Sequence, residues 1–252
     1  MNTTWFVLAS VLAMLNSSCV HYYYAPNSNN VPLFKEKNEG RIQASYASTA
    51  TGGNTKDANG FELQSAYAVG NHTALQFNLF SASESEDDGS GSGTYVEAAC
   101  GYFKPVDARR HWIFETYGGL GYGGVKNEFG GGVIAKTSIL KLFAQPSFGF
   151  TSKYFEMAFS SKLSLVNLGY ISSNISKDNN PLDYDYVESL RGGKSYFLWE
   201  PGLMLRGGFK NVKLSLQITN AIFDKDKLPF SDGTAAIGLI INLNPKPKTA
   251  SK

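Results

Sequence analysis

Histidine and cysteine are nearly missing from this sequence, with three and two in 252 residues. Acid–base catalysis near neutral pH leans on histidine, and metal centres and disulfide frameworks lean on both, so the scarcity narrows the chemistry before any motif is read. Charge is thin as well: Asp, Glu, Lys and Arg make up 17% of the chain, against roughly 25% in soluble proteins. The net charge is +2, and no Lys/Arg cluster with interleaved aromatics occurs, which argues against a nucleic-acid partner. After Val20 no apolar run is long enough to cross a bilayer as a helix. Glycine and aromatic side chains are plentiful, at 26 residues and 13%, a composition suited to twisted strands and membrane interfaces. The length fits one large β domain.

The first twenty residues read as an export signal. Trp5 to Leu15 is a short apolar run, followed by small residues and Cys19. The segment Leu15-Asn16-Ser17-Ser18-Cys19 resembles the lipobox of bacterial lipoproteins, a resemblance that implies acylation of Cys19 as the mature N-terminus. An ordinary signal peptide with an incidental cysteine is the plainer alternative. Cys100 lies inside a strand pattern and reads as a small packing residue. These features divide the chain into a lipoprotein signal peptide at 1–18, an extended tether at 19–38, a barrel at 39–244 and a basic tail at 245–252. The tether HYYYAPNSNNVPLFKEKN carries two prolines, several asparagines and no sustained period.

The barrel expectation starts at Lys153 to Tyr170. Phe155, Met157, Phe159, Leu163 and Leu165 are apolar, while Glu156, Ser160, Lys162 and Ser164 alternate with them. This is the period of a strand with two unlike faces, and it carries charge at mid-strand. Apolar outside and polar inside is the pattern of a transmembrane barrel. Similar alternation recurs around 75–79, 140–148 and 212–219. The segments predicted as strands are 39–48, 59–69, 72–82, 93–104, 111–123, 137–150, 154–170, 194–208, 211–221 and 233–244, ten in all and antiparallel up-and-down. Pro146 and Pro201 fall within strands and predict bulges or local breaks. Glycines 118, 119, 121, 123 and 124 leave room for a neighbour's long side chain, or else mark a bulge.

The connections alternate between long and short, as they do in outer-membrane barrels, whose external loops are long and periplasmic turns short. Aromatics gather at both strand ends: Tyr46, Phe61, Phe80, Tyr95, Tyr122, Tyr170, Tyr196 and Phe197 at the long-loop ends, and Tyr102, Phe103, Trp112, Phe150, Tyr154 and Phe209 at the other. They read as two interfacial girdles. In these patterns residues 39–244 resemble small bacterial outer-membrane β-barrels. A long first loop makes the first strand run outward, which predicts a periplasmic N-terminus and a Cys19 lipid in the inner leaflet of that membrane.

Parity predicts a lumen charge network of Glu97, Glu115, Lys141, Glu156, Lys162, Glu200, Arg206 and Lys213, structural rather than conducting. Direct pairing of the strands at 154 and 194 would set Lys162 opposite Glu200 and Glu156 opposite Arg206. Acidic stretches, SESEDDGSGSG and KDNNPLDYD, read as solvated loops and match no calcium-loop spacing. Enzymatic barrels such as omptin-type proteases and lipid A acyl-modifying enzymes would need catalytic groups near the outer leaflet, whereas His21 sits in the tether and His72 and His111 beside short turns. The expected function is therefore an outer-membrane barrel lipoprotein with a structural or interaction role, non-enzymatic and without cofactor or metal. Its partners would be outer-membrane lipid and a membrane-protein complex. The alternatives are a periplasmic, lipid-anchored soluble barrel holding a small apolar ligand, and an outer-leaflet hydrolase or acyltransferase.

Overall fold

The computed structural model describes residues 23–50, 58–86, 89–129, 131–178, 181–222 and 231–243. The signal stretch, Cys19, His21 and the basic tail lie outside the described residues, as do Asp87 and Asp88 of the acidic loop.

Ten strands form: β1 (Gly40–Ala50), β2 (Ala58–Ala68), β3 (Thr73–Glu86), β4 (Gly89–Pro105), β5 (Trp112–Glu128), β6 (Ile134–Thr151), β7 (Phe155–Ser173), β8 (Lys194–Gly208), β9 (Val212–Asn220) and β10 (Gly233–Leu243). Each pairs antiparallel with the next, and β1 pairs with β10, so the sheet closes into an up-and-down barrel without an edge. On β7 the outward Met157, Phe159, Leu163 and Leu165 are exposed, while Glu156, Ser160, Lys162 and Ser164 are buried. The same sorting leaves Leu75, Phe77, Leu140, Leu142, Leu214 and Leu216 exposed on their strands. A soluble ligand-binding barrel requires the reverse, apolar inside and charged outside. That alternative is overturned.

Tyr46, Phe61, Tyr122 and Phe197 lie exposed towards the long-loop end, and Tyr102, Trp112, Tyr154 and Phe209 towards the other. From Trp112 to Tyr122 β5 climbs about 33 Å along the strand, or about 25 Å of height at the usual tilt, matching a membrane barrel's apolar band. Five of the expected girdle aromatics do not belong to it: Tyr170 and Tyr196 turn inward and pack against the buried cluster of Leu168, Leu190 and Leu198 at the long-loop mouth. Phe80, Tyr95 and Phe103 are buried in the lumen, because each stands on the inward parity of its strand.

Several strands outrun their expected bounds at the long-loop end. The acidic stretch expected as a solvated loop is mostly ladder, with Ser83 opposite Ser92, Glu84 opposite Gly91 and Ser85 opposite Ser90. Main-chain pairing needs no apolar side chain, so it continues above the apolar band. Neither proline makes a bulge, but each marks the expected local break: the β6–β7 ladder skips Gln145 and Pro146, and the β8–β9 ladder stops at Gly202. Register is the same on both sides of Pro146 and Pro201, and Pro201 stays opposite Ser161. A missing N–H removes a bond but inserts no residue; the shift that does occur lies between Lys136 and Thr137.

The long connection after β7 is structured. It holds a helix, α1 (Pro181–Ser189), and a 3-10 turn (Leu190–Gly192). Val187 and Leu190 are buried against Leu168, Leu198 and Ala221 at the barrel mouth, so the loop folds back as a cover.

Candidate functional site: the threaded lumen

Inward-facing polar side chains leave a lumen that must be filled by water or by protein. It is filled by the chain's own N-terminal segment. Residues 23–34 run through the barrel without regular secondary structure, all of them buried except the half-buried Ala25. Most of the described part of the expected tether thus lies inside the barrel.

Its direction follows from its neighbours. Tyr23 and Tyr24 pack with Ile139, Val166, Leu168, Leu190 and Leu198, all at the long-loop end. Val31 and Leu33 pack with Ile113, Ala158 and Met204, and Phe34 with Ala68, Ala74 and Phe103, all at the short-turn end. The segment therefore enters at the long-loop mouth and leaves at the opposite end, where β1 begins. This corrects the expectation that the chain's N-terminal part stays on the side where β1 starts. The direction of β1 relative to the long loops agrees with that reasoning; the step from β1 back to Tyr23 does not, because the intervening chain doubles back through the barrel.

A buried segment without secondary structure must find side-chain partners for its main chain. The barrel wall supplies them. Thr234 Oγ1 donates to the Pro26 carbonyl (2.5 Å) and Gln64 to that of Ser28 (2.9 Å). Gln217 donates to the Asn29 carbonyl (3.1 Å), and Gln76 and Gln145 both donate to that of Asn30 (3.1 and 2.7 Å). Arg206 reaches the Val31 carbonyl (2.9 Å). Two carboxylates accept from amides, Glu62 from Ser28 (2.7 Å) and Glu115 from Phe34 (3.0 Å). The asparagines complete the fit: Asn29 donates to Ser160 Oγ (2.9 Å) and Asn30 to Asn78 Oδ1 (2.7 Å). Gly202 is needed here, since a Cβ at that position would stand 2.8 Å from Asn29 Nδ2. Gly119 makes similar room for the ring of Phe143, at 2.6 Å from such a Cβ.

All eight residues of the anticipated charge network face inward and are buried. Seven of them form two clusters, while Glu115 stands apart on the Phe34 amide. Nearer the long loops, Lys141 Nζ bridges Glu97 (3.1 Å) and Glu200 (3.0 Å) and donates to the hydroxyl of Tyr24 (2.8 Å), which donates in turn to Glu200 (2.5 Å). Lys162 reaches Glu97 (3.4 Å) and Asn27 Oδ1 (3.2 Å), and Asn27 also donates to Glu97 (2.9 Å). Nearer the short turns, Glu156 takes a bidentate contact from Arg41 (2.7 and 2.9 Å), with Lys213 at 2.8 Å and Arg206 at 3.5 Å. Both clusters touch the thread, the first through Tyr24 and Asn27 and the second through the bond from Arg206 to Val31.

The register of β7 against β8 is the one anticipated: Glu156 faces Arg206, Lys162 faces Glu200, and Leu163 faces Trp199. Facing positions and ionic partners differ in one case. Lys162 pairs with Glu97 on β4, and Glu200 pairs with Lys141 on β6. A long side chain in a narrow lumen reaches past its ladder neighbour when an opposite charge lies across the bore. Sequence reasoning missed Arg41, Tyr24 and the thread asparagines. The available signal was the set of glutamines on inward positions, Gln43, Gln64, Gln76, Gln145 and Gln217, more amide donors than the charge network uses.

His72 and His111 both lie at the short-turn end. A ring nitrogen of His72 lies 3.1 Å from the Phe103 carbonyl, and His111 packs on Phe150. Among the described residues no group of three or more His, Cys, Asp or Glu could hold a metal ion. Cys100 is a free thiol on the outer face.

No protein-family model matches the chain, and no curated protein matches it. Among solved structures, similarity extends to Ail, the attachment invasion locus protein of Yersinia pestis, at 12% identity and a TM-score of 0.37, covering 82% of this chain and 99% of that one. It extends also to the N-terminal β-barrel domain of Pseudomonas aeruginosa OprF, at 12% identity and a TM-score of 0.34, covering 82% and 98%.

Proposed function

We propose that this protein is a bacterial outer-membrane barrel lipoprotein with its long loops outside, serving a structural or interaction role and not conduction or catalysis. The observation that carries this reading is the pairing of an outward apolar band between two aromatic girdles with a lumen filled by the chain itself. An exposed apolar belt of this height has no stable place in water. A bore packed with main chain, ion pairs and aromatic rings has no room for a solute path. What remains for interaction is the mouth at the long-loop end, where α1 and the extended hairpins lie. A membrane-protein complex that reads these loops is the partner class this supports, and the residues around Cys19 support lipid anchorage.

Fractionation tests the reading. The protein should sediment with outer membranes and migrate differently on a gel before and after heating. Release with the soluble periplasmic contents would overturn it. Mass spectrometry of the mature chain should find an acylated Cys19 at its start; an unmodified N-terminus beyond that position would remove the lipoprotein part alone.

A further inference from the structure

The thread fixes where the chain's N-terminal end lies. Tyr23 is at the long-loop mouth, its ring tilted against that of Tyr186 of α1 with centroids 4.7 Å apart, while Phe34 is at the opposite end against Phe103. The steps from Tyr23 back to Cys19 number four and span at most about 14 Å when fully extended. The other end of the barrel is about 25 Å away, by the height of its apolar band. The bore leading there is already occupied by residues 23–34. The first described residue of the thread, Tyr23, therefore joins whatever precedes it at the long-loop end.

We propose that the N-terminal end of the mature protein is displayed on the exterior face of the outer membrane, threaded through its own barrel, and that an acyl group on Cys19 enters the outer leaflet. The partner this implies is the lipid surface around the long-loop rim, on the opposite side from the leaflet that an unthreaded tether would reach. The inference rests on the orientation under Proposed function, long loops outside, and adds to it the path of the terminus. Assembly follows the same path: the N-terminal end must be inside the ring before β1 pairs with β10, because a lipid-bearing end cannot be drawn afterwards through a closed bore lined with polar and charged groups.

A membrane-impermeant maleimide on intact cells separates the two claims. The probes are Lys177→Cys in the long loop, Lys210→Cys in a short turn and His21→Cys, each in a Cys100→Ser background, with the parent retaining only Cys19 as control. Lys177→Cys and His21→Cys should label on intact cells, and Lys210→Cys only after permeabilisation. Val20→Cys gives the same readout if His21→Cys fails to accumulate. Labelling of Lys177→Cys on intact cells with the N-terminal probe protected until permeabilisation overturns the threading and leaves the orientation standing. Protection of Lys177→Cys on intact cells overturns the orientation, and the inference with it. A mature chain that begins beyond residue 21 also overturns the inference, since no acylated end is then displayed.

Discussion

Lys141 holds two carboxylates at once, and this ranks the lumen charges. Replacing it with methionine leaves Glu200 with hydroxyl partners only and Glu97 with the more distant Lys162. Removing one partner of a buried ion pair costs about 3–5 kcal/mol, so Lys141→Met should lower the urea midpoint of the heat-modifiable band. Lys162→Met should lower it less, because Glu97 keeps Lys141. Equal losses would mean that the two lysines are interchangeable. Outside the apolar band, Asp107 in the turn between β4 and β5 accepts the amides of Trp112 and His111 (both 2.8 Å). The Trp112 amide foremost, then those of His111 and Arg109 and the charge of His111, hold its carboxyl below the ordinary aspartate range against its desolvation. A depressed folded-state value means that the stabilisation is complete above about pH 4, the unfolded range, and drains as pH falls below it. Asp107→Asn should remove that acid limb from a plot of unfolding midpoint against pH. At this scale parity in the sequence gives the inward direction of every network charge. It does not give their partners, because Lys162 and Glu97 stand on β7 and β4 and no ladder relates them.

Elements were legible where their period was local. Each of the ten strands overlaps the segment predicted for it, most plainly where alternation was clean, since a half-buried strand writes its two faces into neighbouring residues. What escaped was structure whose support lies elsewhere. The β3–β4 hairpin extends through Ser and Gly because pairing, not side-chain burial, carries it. The helix α1 lacks a clean apolar stripe, although Pro181 at its first position and Gly193 beyond the 3-10 turn, at φ 71°, are the residues expected there. Its hold on the barrel is the burial of Val187 and Leu190. Leu190→Ala should cost about 2–5 kcal/mol of that docking and speed proteolysis within residues 171–193 at least about tenfold, if cleavage follows the opened population. Unchanged cleavage would show that the cover is held by its hydrogen bonds, such as Arg191 to Tyr170 (3.2 Å).

For the whole molecule, the threaded segment decides what the barrel is. It has no period for sequence reading to find, since its main chain bonds to side chains drawn from strands all round the bore. Removing residues 23–34 should leave those glutamines and carboxylates to water. The intact protein should then pass no ion current in a planar bilayer and the deleted form should pass a steady one; conduction by the intact form would mean that the thread leaves the bore. The thread also gives the molecule a mechanical character. A pull on its long-loop end is met first by the side-chain bonds that hold residues 26–34 to the wall, and only beyond them by Gly40. There the chain reverses, so the force on Gly40 points back along β1 and would peel that strand from β10 and β2 at its first residue, one bond at a time, whereas a pull from the short-turn side would load the same two ladders in shear. The bonds inside the bore therefore act as strain relief for the seam that closes the barrel.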